Sequence, residues 1–247
     1  MFRWRKKPAE KQNEDSLSKN QIMLEQAKLQ YQMLQKQINP HFLYNTLDSI
    51  RSEALKSQEF VIAEMVERLS KSFRYCVSYN ADFVRLSEEI KHIDDYFYIQ
   101  KFRFGDRFSL EMKFENPDVL DYYIPRMILQ PIIENSIFHG LETKLGGGKI
   151  ELSVRFTEKK LYILISDNGR GMKKRDLEEL NEKLRMGMVP DGVQRSKIAV
   201  LNINNRIRFC FGKEYGLSMR SLEGIGCQTE FVMPLVDDLE LSKYLIE

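Results

Sequence analysis

The apolar residues of this chain keep two different periods, and the switch between them limits what it can fold into. Up to about residue 104 they recur at helical spacing; from Phe108 they alternate with polar residues. Leu17, Leu24, Tyr31 and Ile38 return every seven residues, with Asn20, Ala27, Leu34 and His41 three places after each. A heptad seam of this kind pairs one helix with another. Pro40 breaks it: lacking an amide hydrogen and crowding the preceding turn, it calls for a kink or tightened turn just before His41. The imidazole is then lifted out of the seam where two chains meet. The plainer alternative, a packed or surface histidine in a helical hairpin, stays open on this segment alone.

Helical spacing runs from Leu17 to about Leu55, and a second amphipathic helix from Glu59 to Tyr79 carries Ile62, Val66, Leu69, Phe73 and Val77 on one stripe. Each apolar face is too wide for a hairpin alone to cover, so dimerisation into a four-helix bundle is expected. Ser87, Glu88 and Glu89 open a further helix to about Phe104, with acidic residues at its positive end; His92 is expected to face solvent. Then come alternating stretches at Phe108–Phe114, Ile150–Phe156, Leu161–Ile165 and Thr229–Met233, with helices at about 126–139, 173–186 and 197–210 between them. The fold class is α+β: an N-terminal helical hairpin, then a mixed sheet covered on one face by helices. The expected divisions are a basic tail or linker over 1–16, a helical dimerisation region over 17–82, a connecting helix over 83–106, the sandwich over 107–236 and a tail over 237–247.

The near balance of 38 basic and 36 acidic residues speaks against an extended nucleic-acid footprint. Cys76, Cys210 and Cys227 share no metal-ligand spacing and suit a reduced, cytosolic protein. No apolar run approaches the roughly 20 residues that span a bilayer. The start, MFRWRKKP, lacks the apolar core of a signal peptide; it reads as a solvated tail or as a basic segment against anionic lipid.

Four features of the second half belong together. In QPIIENSIFHG (130–140), Asn135 and His139 are four apart on a helix, with Glu134 alongside. Asn135 offers the neutral, hard oxygen that suits Mg²⁺ already carrying phosphate, His139 a phosphate contact, and Glu134 a site for a metal-bound water or a proton. A helix end with surface polar residues capped by Gly140 is the alternative. DNGRGM (167–172) follows an apolar strand, so Asp167 can accept from an exocyclic amine while Gly169 and Gly171 let the backbone approach a flat ring; a simple turn is the alternative. Residues 173–196, charged and glycine-containing, are expected to form a mobile cover. GIGCQT (224–229), ending at Thr229, closes the far side.

With these in view, the chain resembles the LytS/YesM-type sensor histidine kinases from about Leu29 to Pro234. The resemblance is carried by QINPHFLYNTLDSI around His41, LSEEIKHIDDYFYIQKFRF (86–104), IPRMILQPIIENSIFHG (124–140), GGGKIELSV (146–154), DNGRGM and KEYGLSMRSLEGIG (213–226). It implies a GHKL-type ATP-binding sandwich and ATP-dependent phosphorylation of the chain's own histidine, which matches His41. It further implies a homodimer, transfer to an aspartate of a response-regulator receiver domain, and an upstream membrane sensor with this portion in the cytoplasm. Asn135 matches the Mg²⁺ ligand, Asp167 the adenine-binding acid, and Asn168, Gly169 and Gly171 the adjoining loop; Asn202 and Arg206 match the end of the lid. Two lid glycines are replaced by Lys197 and Ala199, and Cys227 stands where threonine is usual. The family's ATP-hydrolysing relatives carry a glutamate at the position of Pro131, so hydrolysis by that base is not expected. Phe42 follows His41 where many kinases have an acid, which leaves Asn45, one turn on, as the candidate to orient the ring. The altered lid leaves a second reading, a non-catalytic or weakly active nucleotide-binding scaffold.

Overall fold

The structure, a computed structural model, describes residues 40–77, 82–141, 146–187 and 195–244, without the side chains of 195–197. The heptad segment before Pro40 and the basic tail lie outside the described residues. The chain divides into two compact units, 1–50 and 51–247, and the second hairpin helix falls in the later one.

Helix α1 is Pro40–Lys56 and α2 is Phe60–Val77. Pro40 is the first described residue of α1, so the kink or tightened turn expected just before His41 lies outside the described residues. Between them the chain turns through Gln58, held at φ 61°, and Arg51 reaches across to Glu67 at 2.9 Å. Helix α3, Leu86–Phe104, packs along α2. Arg68 of α2 ties the two together, bonding Asp94 at 2.8 Å and Asp95 at 3.2 Å on α3 while its guanidinium lies 4.2 Å over the Tyr98 ring.

The later unit is built on a five-stranded sheet in the order β2 (Phe108–Phe114), β4 (Gly148–Phe156), β5 (Lys160–Asp167), β7 (Gly226–Pro234) and β6 (Gly216–Leu222). Only β2 and β4 run parallel. Two short strands, β1 (Phe83–Arg85) and β3 (Tyr123–Pro125), pair separately. Alternation sorts the faces. Ile150, Leu152, Leu161, Ile163, Ile165, Phe231 and Met233 point into the core. The opposite face carries Lys113–Glu151 at 2.7 Å, Lys149–Glu111 at 2.6 Å and Arg155–Glu230 at 3.2 Å. These pairs offset the like charges of Glu111 and Glu151, which lie directly opposite each other.

Three helices cover the apolar face: α4 (Gln130–Asn135), α5 (Lys174–Met186) and α6 (Arg195–Phe211). The continuous helix expected over 126–139 is instead a turn, then α4, then a π-helical segment Ser136–Leu141. Pro131 sits in the first turn of α4, where it fixes the helix start and keeps the helix from extending back to residue 126. The expected mobile cover is corrected over its first half. Leu180 and Leu184 of α5 are buried in the core, and Asn181 exchanges hydrogen bonds with the backbone of Met219 at 2.8 and 3.1 Å. Gly187 ends α5 in the left-handed region at φ 69°, and Asn204 and Arg208 of α6 donate to its last carbonyls. The segment 188–194 lies outside the described residues.

Candidate functional site

The cavity of the later unit, about 840 Å³, opens between the sheet and these three helices, within the size range of small-ligand sites. Its interior is apolar through Ile132, Met172, Leu180, Val200 and Met219, and its polar wall is Asn135, Ser136, His139, Asp167, Cys227 and Thr229. Arg170, Lys173, Asp176 and Glu223, with Gly140, Gly171 and Gly224, complete the lining.

The π segment explains how one short stretch supplies several wall residues. In an i→i+5 turn the face presented to a neighbour is broader than in an α-helix, and Asn135, Ser136, His139 and Gly140 all reach the cavity. The Asn135 amide nitrogen is buried and has no hydrogen-bond partner among the described residues. An orphaned donor of this kind costs about 1–3 kcal/mol; a metal ion would be taken by the Oδ1 of the same amide, not by this nitrogen.

Asp167 ends β5, where its side chain is oriented by two bonds. Ser136 Oγ donates to Oδ2 at 2.9 Å, and the Gly169 amide donates to Oδ1 at 2.9 Å. Asp167 also lines the cavity. Thr229, almost fully buried, lies on the same wall. The Cys227 thiol is pushed above its ordinary pKa chiefly by burial, and so is protonated at neutral pH.

Several expected site residues stand elsewhere. The glycines are packed closely against the chain: a side chain at Gly169 would meet the Gly140 backbone at 2.5 Å, and one at Gly171 the Leu222 carbonyl. Gly171 still lines the cavity; Gly169 does not. Asn168 is turned to the sheet, accepting from Lys149 N–H at 2.8 Å and donating to Gly147 O at 2.9 Å. Glu134 accepts from Gln130 at 2.8 Å and is not on the cavity wall. Asn202 is exposed on α6 and also off the wall; its neighbour Asn204 is the buried amide, bonded to Leu184 O and Leu217 N. Arg206 bonds the carbonyls of Arg126 and Asp82. The Lys197 side chain lies outside the described residues. His92 is buried rather than solvent-facing, stacked on Tyr75 with ring centroids 4.2 Å apart.

Sequence reasoning missed Ser136 and the apolar wall of Met172, Leu180, Val200 and Met219. Leu177, Leu180 and Leu184 carried a signal, since their helical spacing marks a core-facing stripe in an otherwise charged helix.

In the first unit, His41 lies in the first turn of α1, and the Asn45 amide is 3.2 Å from its Nδ1 and 3.5 Å from Nε2. It is the amide nitrogen of Asn45 that faces the ring in this arrangement.

Residues 29–108 match the family described as histidine kinase, and residues 121–236 the one described as histidine kinase-, DNA gyrase B-, and HSP90-like ATPase. Sensor histidine kinase YesM of Bacillus subtilis is 33% identical over 214 residues, which make up 87% of this chain and 34% of that protein. The chain belongs to the LytS/YesM-type sensor histidine kinase family. Sensor histidine kinase YpdA of Escherichia coli is 29% identical over 208 residues, 84% of this chain and 34% of that one. The chain thus spans about a third of the length of these two kinases. Among solved structures, the histidine kinase domain of the Erythrobacter litoralis blue-light activated kinase aligns at a TM-score of 0.48 and 12% identity, over 83% of this chain and 99% of that one. The first family match takes in His41 and the second takes in the whole cavity wall. Among the described residues no helix is long and apolar enough to cross a membrane.

Proposed function

We propose that this chain is the kinase portion of a sensor histidine kinase. It binds ATP with Mg²⁺ in the cavity, phosphorylates His41 within a homodimer, and passes the phosphoryl group to a receiver-domain aspartate of a response regulator. Its place is the cytoplasmic side of a membrane, downstream of a sensor segment. The observation that carries the reading is the cavity itself, with the orphaned Asn135 amide and the oriented Asp167 carboxyl on one wall.

In this reading Asp167 accepts from the exocyclic amine of adenine, which guanine lacks at that position. Ile132, Met172, Leu180 and Val200 take the flat faces of the ring, while His139 serves the phosphates. The Oδ1 of Asn135 and the nucleotide's own phosphate oxygens are the hard oxygen ligands usual for Mg²⁺. When bound, Mg²⁺ supplies charge neutralisation at the phosphates, the main demand of phosphoryl transfer. Lys197, standing where a lid glycine is usual, adds a positive charge to the same task.

His41 must offer a ring nitrogen with a free lone pair to the γ-phosphorus. The Asn45 amide, rotated to present Oδ1, accepts the Nδ1 proton and leaves Nε2 free to attack. A P–N bond then forms to Nε2 as the bond from the γ-phosphorus to the bridging oxygen breaks, and ADP departs with that electron pair. The replaced lid residues, Lys197 and Ala199, favour a second reading as a weakly active or non-catalytic nucleotide-binding scaffold.

Incubation with γ-labelled ATP and Mg²⁺ separates these. Acid-labile, alkali-stable label on the protein, lost in His41→Ala and chased onto a receiver domain, is the expected result. Bound nucleotide with no label leaves the scaffold, and free phosphate with no labelled protein would make the chain a hydrolase.

A further inference from the structure

The cavity leaves unused a run of buried polar groups behind α4. Glu89 of α3 is completely buried, and its two carboxyl oxygens take three donors: the Tyr75 hydroxyl from α2, the Met127 amide at 2.5 Å and the Leu129 amide at 3.3 Å. Those amides belong to the turn entering α4, whose own N-cap residue, Leu129, supplies no side-chain acceptor. Met127 is held at φ 56°, a region that residues with a side chain enter at a cost. One turn along α3, buried His92 gives its Nε2 proton to Gln130 Oε1, and Gln130 in turn donates to Glu134 at 2.8 Å. The Tyr75 ring stacks on His92, and Arg126 lies 4.4 Å over it. Asn135 is the next residue in the chain.

We propose that Glu89, Tyr75 and His92 are positioning residues for the metal-bound nucleotide: from α2 and α3 they hold residues 127–134 in the one arrangement that presents Asn135 to the cavity. The inference rests on the nucleotide reading given above. A buried carboxyl fixed by three donors is a poor choice for filling space, since apolar residues of similar volume pack as well or better. It is a good choice for holding two amides and a strained φ at a defined place. Burial lowers the proton affinity of His92, which keeps it a single-proton donor and fixes which end of the Gln130 amide faces Glu134. Because Tyr75 is on α2, a shift of that helix acts on the turn before α4 through one shared carboxyl group, so the same device links the helical hairpin to the nucleotide wall.

The test measures affinity for a non-hydrolysable ATP analogue, with Mg²⁺ and with chelator, in the whole chain. The wild type should bind more tightly with Mg²⁺, and Asn135→Ala should lose that gain. Glu89→Gln, close in shape but presenting a donor to one of the two amides, should lose about tenfold of the Mg²⁺-dependent gain, as outer-shell partners of a metal site do, while metal-free affinity changes less than twofold. Tyr75→Phe, which keeps the ring packing, should move the same way by a smaller factor and carries the test should Glu89→Gln fail to fold. A gain left at its wild-type value in these variants overturns the inference alone. So does an equal fall of both affinities, the mark of a role in stability only. No Mg²⁺-dependent gain in the wild type overturns the metal reading, and the inference with it.

Discussion

Asp167 takes bonds from Ser136 and from the Gly169 amide, both at 2.9 Å, and these set the plane of its carboxyl group before any ligand arrives. Replacing it with asparagine keeps the shape but presents an N–H where the adenine amine donates. Asp167→Asn is therefore expected to remove most of the preference for adenine over guanine nucleotides, a change of about 1.5–3 kcal/mol for one charge-assisted bond. Competition binding of ADP against GDP reads it directly, and an unchanged ratio would remove Asp167 from base recognition. A second prediction belongs to His92. Burial lowers its pKa in the folded chain, below the value of about 6.5 that the unfolded chain shows. The unfolded state therefore binds the proton first, so the stability His92 contributes is complete above about pH 6.5 and is lost as pH falls through the folded value. Urea midpoints across about pH 5 to 8 should fall on the acid side in the wild type and fall less steeply in His92→Gln; parallel curves contradict the assignment. Asp167 and Asn135 were legible in sequence because a strand end and an apolar helix frame them. His92 was not: it lies among Lys91, Asp94 and Asp95, and only its partners Gln130 and Tyr75, distant in sequence, turn that face inward.

At the scale of elements, the site depends on how tightly the 168–171 loop meets the β6–β7 hairpin. Gly171 has φ 64° and no room for a side chain beside the Leu222 carbonyl, and Gly224 N–H donates to Arg170 O at 2.7 Å. Gly171→Ala combines an unfavourable φ, worth about 1 kcal/mol, with a backbone clash. It should lower the unfolding midpoint by more than that term alone and displace the wall that carries Met172. A variant as stable as wild type would show that the loop is free to move, against the packing described. The strands were readable from alternation, as were the helices from their spacing. The π turn at Ser136–Leu141 was not, because it arises where the chain packs against Asp167 and Gly169, contacts that no local period encodes. Likewise α5 is charged over most of its surface, and its place in the core is written only in Leu177, Leu180 and Leu184.

On the scale of the whole molecule, α2 keeps Phe60, Val61 and Leu69 exposed at 66%, 57% and 41%, although Ala63 and Val66 are buried. Apolar side chains left on a hairpin helix are what a second copy would cover in a four-helix bundle. Leu69→Lys should shift the chain from dimer toward monomer in sedimentation, with the later unit still folded; a wild type that is monomeric at every concentration contradicts the dimer. The sequence carried the two-period division plainly. It did not mark that α2 groups with the later unit, because the bonds responsible, Arg68 to Asp94 and Tyr75 to Glu89, join residues that look like separate solvated charges. The proposed function requires phosphoryl transfer from a nucleotide in the cavity to His41. Incubation with Mg²⁺ and ATP at neutral pH, followed by intact-mass and peptide mapping under alkaline conditions, tests it most directly. One added phosphoryl group on the peptide containing His41, absent in Asn135→Ala and in Asp167→Ala, is the predicted result. A wild-type chain that binds the nucleotide yet carries no phosphoryl group on His41, alone or with its receiver partner, would contradict the account.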